Sequence, residues 1–190
     1  HGSVSIKNAH PFRYGNIVGA HNGTIGTFEM QKRQLIEKFP NRAGELKAME
    51  VDSQLLVWTV ARRHREFLKE ISCWAAFWWV NTADLTKMFI WRNTAPLAFA
   101  GDGECLYFSS DEDHLKSIGL KPWKAEDDKL FEIPFDNPGK MIKHEFRGKG
   151  RWTGCGTVYH ASGSHNVGNN SNQGSFSGGC GSGSVSNPVG

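Results

Sequence analysis

Apolar residues recur in two rhythms along this chain, and the rhythm changes near residue 73. From Phe28 to Phe39 (FEMQKRQLIEKF) the apolar positions Phe28, Leu35, Ile36 and Phe39 recur at helical spacing, which predicts a helix. Thr27 stands at its N-cap position, and Pro40, which has no backbone N–H to give, ends it. A polar loop over 41–50 leads to Asp52, which opens a second predicted helix running to about Arg65. Leu55, Leu56 and Val60 supply its apolar face, and its last turns are basic. An Asp in that place ordinarily caps the helix, and the pattern alone predicts this role for Asp52.

From Cys73 the period becomes that of strands. CWAAFWWV, TKMFIWR, LAFAG and CLYFS are four short apolar segments, separated by breaks such as Asn81-Thr82-Ala83-Asp84 and Gly101-Asp102-Gly103. In the first, Trp74, Ala76 and Trp78 fall on one face and Ala75, Phe77 and Trp79 on the other. A sheet with one wet face would alternate apolar with polar. Two apolar faces predict a sheet covered on both sides, by helices on one and a second sheet on the other. Upstream, Ile17 to His21 reads as a short buried strand that ends in Asn22-Gly23, a pair with turn chemistry. Downstream, Ser109 or Ser110 caps a short predicted helix, Asp111 to Ile118, with Gly119 as its stop, and Lys129 to Ile133 is a last predicted strand. Beyond Pro134 the pattern fades. From about Gly148 the chain is rich in Gly, Ser and Asn and is expected to be a flexible tail.

Composition adds bounds to this picture. The 190 residues suffice for one domain with a full core. The net charge of +3 is small, and the one basic cluster, Arg62-Arg63-His64-Arg65, suits a solvated helix end, so a nucleic-acid partner is not expected. No run of about 18 apolar residues is present for a membrane span, and no signal peptide. Cys73, Cys105, Cys155 and Cys180 form no C-x-x-C pair. They read as reduced thiols of a cytoplasmic protein. Cys155 with His160 and His165 has a faint metal-like spacing, but the segment has too little apolar content to fix a geometry, so no metal and no cofactor are expected.

Several short motifs then stand in a definite order. His1-Gly2 precedes Asn8-Ala9-His10-Pro11, which precedes His21-Asn22-Gly23-Thr24-Ile25 and Glu50-Val51-Asp52-Ser53-Gln54. Arg92-Asn93-Thr94-Ala95-Pro96-Leu97 and Tyr107-Phe108-Ser109-Ser110-Asp111 follow. This succession, over residues 1–135, resembles the class II glutamine amidotransferase domain, an N-terminal-nucleophile hydrolase. The family pattern includes T-H-G, N-A-H-P, H-N-G-x-I, a helix opening D-[TS]-E, R-D-x-x-G-x-x-P-L and Y-x-A-S-E. Gln54 stands where the family often has Glu, Asn93 where it has Asp, and Gly26-Thr27 replaces a common Glu-Asn.

The resemblance implies an α+β fold, a four-layer αββα sandwich of two antiparallel sheets between helices, incomplete here at the N-terminus. It implies domain bounds of 1–135, with 136–190 as the tail. It assigns Asn22 and Gly23 to the oxyanion hole and Asp52 to the α-ammonium of substrate L-glutamine, with His1 and Gly2 touching the substrate backbone. His10 is expected to be a loop histidine bonded to backbone, and Arg92 a structural residue. The implied activity is hydrolysis of the glutamine side-chain amide, supplying ammonia to a separate synthase or synthetase chain. The family's nucleophile is a terminal cysteine that serves itself with its own α-amine. No cysteine stands at the start of this sequence, so the 190-residue chain is expected to be inactive alone. The alternatives are a catalytically inactive module that binds glutamine or scaffolds a partner, and a related hydrolase acting on another amide.

Overall fold

The computed structural model describes residues 3–62, 65–148, 150–152 and 158–160. His1 and Gly2 lie outside the described residues, as does the tail from 161 to 190. The chain is a mixed α+β protein with antiparallel sheets and few helices.

Strands β1 (Phe12–Tyr14) and β2 (Ile17–Thr24) form an edge hairpin. Helices α1 (Phe28–Lys38), α2 (Ala43–Lys47) and α3 (Asp52–Ala61) follow. Strands β3 (Trp74–Asn81) and β4 (Asp84–Arg92) lead to β5 (Ala98–Gly101) and β6 (Leu106–Ser109). After α4 (Glu112–Ser117) come β7 (Trp123–Lys124), β8 (Lys129–Pro134) and β9 (Ile142–Glu145). One sheet has six strands in the order β1-β2-β3-β4-β8-β9, and another has three in the order β6-β5-β7. A separate ladder pairs β10 (Gly150–Trp152) with β11 (Val158–His160).

The doubly apolar pattern of β3 is spent as the alternation predicts. Ala75, Phe77 and Trp79 enter a core with Leu35, Leu46, Leu55 and Trp58 from the helices. Ala76 and Trp78 pack on the opposite side, in a core that includes Ile90, Leu97, Phe99 and Phe131. The other face of the small sheet, Ala98 and Ala100, meets Leu115 of α4. Each buried side chain of this size contributes about 1.5–3 kcal/mol when removed from water, so both faces of the large sheet stabilise the fold.

The connection between the sheets is braced by Arg92. Its side chain is buried; Nε donates to the Ala95 carbonyl at 2.8 Å, Nη1 to the Ala125 carbonyl, and Nη2 pairs with Asp127 at 2.9 Å. Burial lowers its pKa and Asp127 raises it, with burial the larger effect. Arg92 is thus a structural residue that holds the 93–97 loop.

The ends of elements differ from the sequence pattern in three places. The second helix ends at Ala61 rather than near Arg65, and Arg65–Glu70 forms a tighter 3-10 turn. The N-cap of α4 is Asp111, whose carboxylate accepts from the Asp113 N–H, not Ser109 or Ser110. Folded structure also passes the boundary at 135. Strand β9 pairs with β8 from Glu132↔Ile142 to Lys129↔Glu145, and Phe146 is buried against Trp91. All four residues of β9 are exposed, so the strand joins the sheet through backbone hydrogen bonds and carries no apolar signal.

Candidate active site

Strand β2 sets the site. Its register on β3 runs His21↔Phe77, Asn22↔Ala76 and Gly23↔Ala75, and it continues to Thr24↔Trp74. Asn22-Gly23 therefore does not turn the chain, which corrects the turn expected there. The glycine has another reason to be present. Its φ is +131°, and a Cβ on it would stand 1.9 Å from the Trp74 carbonyl oxygen. Only a residue without a side chain lets the two backbones pass this closely.

Asn22 and His21 border the same cavity, but the ring of His21 is engaged by Ser53. Asn22 is exposed on a cavity of about 240 Å³ lined also by Ala76, Trp78, Ile90, Leu97 and Phe108, where the two sheets face each other. Among the described residues, nothing engages the Asn22 side-chain amide, so its N–H groups are available to a ligand oxygen.

Asp52 stands at the start of α3, yet it does not cap that helix. Val51 occupies the N-cap, and Gln54 Oε1 accepts the N–H groups of Glu50 at 2.8 Å and Val51 at 3.3 Å. Relieved of capping, Asp52 is buried and its Oδ2 accepts the Ile25 N–H at 3.0 Å. Oδ1 has no partner among the described residues. The carboxylate is thus held by one oxygen and offers the other.

A polar chain runs beside it. The Ser53 hydroxyl lies 2.8 Å from His21 Nδ1 and 2.7 Å from His10 Nε2. His21 Nε2 faces Asp52 Oδ2 at 3.8 Å, with side-chain exposures of 3% and 9%. The His10 and His21 rings meet edge to face, 5.8 Å between centroids. Burial lowers the pKa of His21, with Asp52 pulling the other way and His10 adding to the fall. Burial likewise lowers that of His10, again opposed by Asp52. His10 is therefore bonded to a side chain, not to backbone as the sequence suggested.

The approach to the site is anchored by Glu50. Its carboxylate pairs with Lys7, accepts from Asn8 Nδ2 at 2.9 Å and from Ser3 Oγ at 3.2 Å. Lys7 and Asn8 hold its pKa down at about 2. This ties residues 3–8 to the loop that precedes Asp52.

The structure thus gathers Asp52, His21, Ser53 and His10 and sets Asn22 on the cavity; His1 and Gly2 lie outside the described residues. Sequence reasoning missed Ser53 and Glu50. The only signal for Ser53 was its place after Asp52, since neither histidine is near it in the chain. Among the described residues no group of three or more His, Cys, Asp and Glu side chains could hold a metal ion. No helix among them is long and apolar enough to cross a membrane. Cys73 is buried, which pushes its thiol pKa up, and Cys105 is exposed in the connection just before β6; neither lines the cavity.

No protein-family model matches the chain, and no curated protein sequence does. Among solved structures it is similar to a glutamine aminotransferase class-II domain protein from Silicibacter pomeroyi. The TM-score is 0.54 at 12% identity, over 75% of this chain and 73% of that one. At that identity the likeness concerns the fold.

Proposed function

We propose that this chain is the glutamine-binding part of a class II glutamine amidotransferase domain with the αββα layering of N-terminal-nucleophile hydrolases. The observation that carries the reading is the state of Asp52: one carboxylate oxygen is fixed by the N–H of Ile25, three residues beyond Asn22 with its free amide, and the other oxygen is unengaged. Asp52 Oδ1 takes the α-ammonium of L-glutamine, and His1 and Gly2 contact its backbone. Asn22 and the Gly23 N–H hold the oxygen of the carboxamide as it gains charge. One such donor is worth about 3 kcal/mol in the transition state.

In this reading the nucleophile is a terminal cysteine outside these residues. Its sulfur attacks the carboxamide carbon while its α-amine takes the thiol proton and passes it to the leaving ammonia. Water then cleaves the γ-glutamyl thioester, giving glutamate and the free thiol. The ammonia serves an acceptor site. The structural neighbour's description as a glutamine aminotransferase class-II domain protein supports the family.

The test is a calorimetric titration of the chain with L-glutamine, D-glutamine and N-acetyl-L-glutamine. L-Glutamine should bind, and the N-acetyl compound, which lacks the ammonium, should not. Equal binding of the two removes the role of Asp52. The 190-residue chain should release no ammonia from glutamine; release would overturn the external nucleophile.

The alternative is a module that binds glutamine without cleaving it. Ammonia release by the natural gene product that contains these residues would exclude it.

A further inference from the structure

The Ser53 hydroxyl has one proton, and two imidazole nitrogens stand within hydrogen-bond reach of it, His21 Nδ1 at 2.8 Å and His10 Nε2 at 2.7 Å. An O–H donates once, and among the described residues the Ser53 hydroxyl has no partner but these two rings, so between neutral rings one accepts from Ser53 and the other donates to it. Whichever way the hydroxyl points, it sets both tautomers together.

The surroundings choose the direction. His21 Nε2 is buried, has no described residue within hydrogen-bond geometry, and faces Asp52 Oδ2 at 3.8 Å, and the nearby Gly23 backbone also favours a proton on this ring. Beside a carboxylate, a ring N–H is attracted and a ring lone pair repelled. In the free protein His21 therefore carries its proton on Nε2, its Nδ1 accepts from Ser53, and Ser53 accepts from His10 Nε2–H. Besides His21 and His10, the ionisable group that feels Asp52 among the described residues is Cys73, which burial keeps as the neutral thiol. A cation on Asp52 Oδ1 offsets the carboxylate charge that held the Nε2 proton, and its positive charge close to Nε2 favours the lone pair there.

We propose that Ser53 is a two-way relay that couples occupancy of Asp52 by a primary ammonium group to the tautomer of the exposed His10. The relay rests on the glutamine reading only for the identity of the ligand. On binding, the proton on His21 Nε2 leaves to water and Ser53 passes its proton to His21 Nδ1. His10 passes its Nε2 proton to Ser53, and His10 Nδ1, which no other described residue engages, takes one from solvent. One proton enters and one leaves, so the charge of the network is unchanged. Ser53 is a positioning residue in this scheme: it acts through His21 on the ligand's ammonium.

Long-range proton–nitrogen correlation spectra of the 190-residue chain, labelled with nitrogen-15 at histidine, read each ring's tautomer. Free protein should show His21 and His10 both protonated at Nε2. Saturating L-glutamine should move both to Nδ1. Glutamine bound with both tautomers unchanged would overturn the relay, as would a free His21 protonated at Nδ1. If L-glutamine does not bind but methylammonium chloride does and moves both tautomers, the relay holds and the glutamine reading falls. If neither binds, the relay has no input and is overturned. In Ser53→Ala, His21 should still respond to ligand and His10 should not, and Ser53→Thr, which keeps the hydroxyl, should restore the His10 response. A purely structural serine would not make the His10 tautomer follow the ligand, and the unmutated chain decides the matter even if Ser53→Ala does not fold.

Discussion

The carbonyl oxygen of Trp74 on β3 occupies the place where a side chain on Gly23 of β2 would begin, 1.9 Å from an ideal Cβ. The contact fixes the course of the strand end that carries Asn22. Gly23→Ala should force the two strands apart and also strain φ, at a combined cost of about 3 kcal/mol. Gly44, inside α2, is the control. A Cβ there meets nothing within 4 Å, so Gly44→Ala should raise stability by about 0.5–1 kcal/mol. Urea unfolding of both variants, compared at equal m-value, checks the contrast.

Asp52 has two separable duties. Asp52→Ala leaves the Ile25 N–H without its acceptor, a cost of about 1–3 kcal/mol in stability. Asp52→Asn keeps an acceptor oxygen and should cost less. Both should weaken L-glutamine binding about tenfold or more, because a hydrogen bond to a charged group is worth about 1.5–3 kcal/mol. Calorimetry together with thermal unfolding separates the two effects. An Asn variant that binds glutamine normally would show that the charge is not used.

Two acidic limbs should appear in the dependence of stability on pH. Burial holds the folded pKa of His21 below 6.5, so the unfolded chain binds that proton more readily and stability falls as pH drops through about 6.5. Glu50 behaves in the usual carboxylate way, with a folded pKa of about 2 against 4.5. Its contribution is full above about pH 4.5 and is lost as pH falls towards about 2. His21→Gln should flatten the first limb, and Glu50→Gln the second. Urea midpoints measured between pH 3 and 8 test both.

Phe146 tests where the folded unit ends. It is 3% exposed, packs edge-on to Trp91 at 6.0 Å, and its N–H donates to the Asp128 carbonyl at 2.9 Å. Phe146→Ala should cost about 3–5 kcal/mol. A chain stopped at residue 135 should lose at least as much, since it also uncovers the edge of β8. Normal stability of that shorter chain would return the boundary to 135.

The sequence by itself determined the parts that rest on local rhythm. The helical spacing of Phe28 to Phe39, the helix opened at Asp52 and the two apolar faces of β3 follow from periodicity, because burial writes its period directly into the residues. The order of short motifs also brought Asn22, Gly23 and Asp52 forward as candidates. What only the tertiary structure decided are the relations between residues far apart in the chain. Gly23 looked like a turn because Asn-Gly is turn chemistry, but the carbonyl that requires the glycine comes from Trp74, on another strand. Asp52 looked like a cap because its release from capping depends on Gln54. Ser53 had no signal beyond its place after Asp52, since its partners His10 and His21 lie 43 and 32 positions away. Strand β9 was invisible because backbone hydrogen bonds, which every residue but proline can make, hold it to β8. Local propensity can be read from neighbours in sequence, whereas the accounting of buried polar groups closes only in three dimensions.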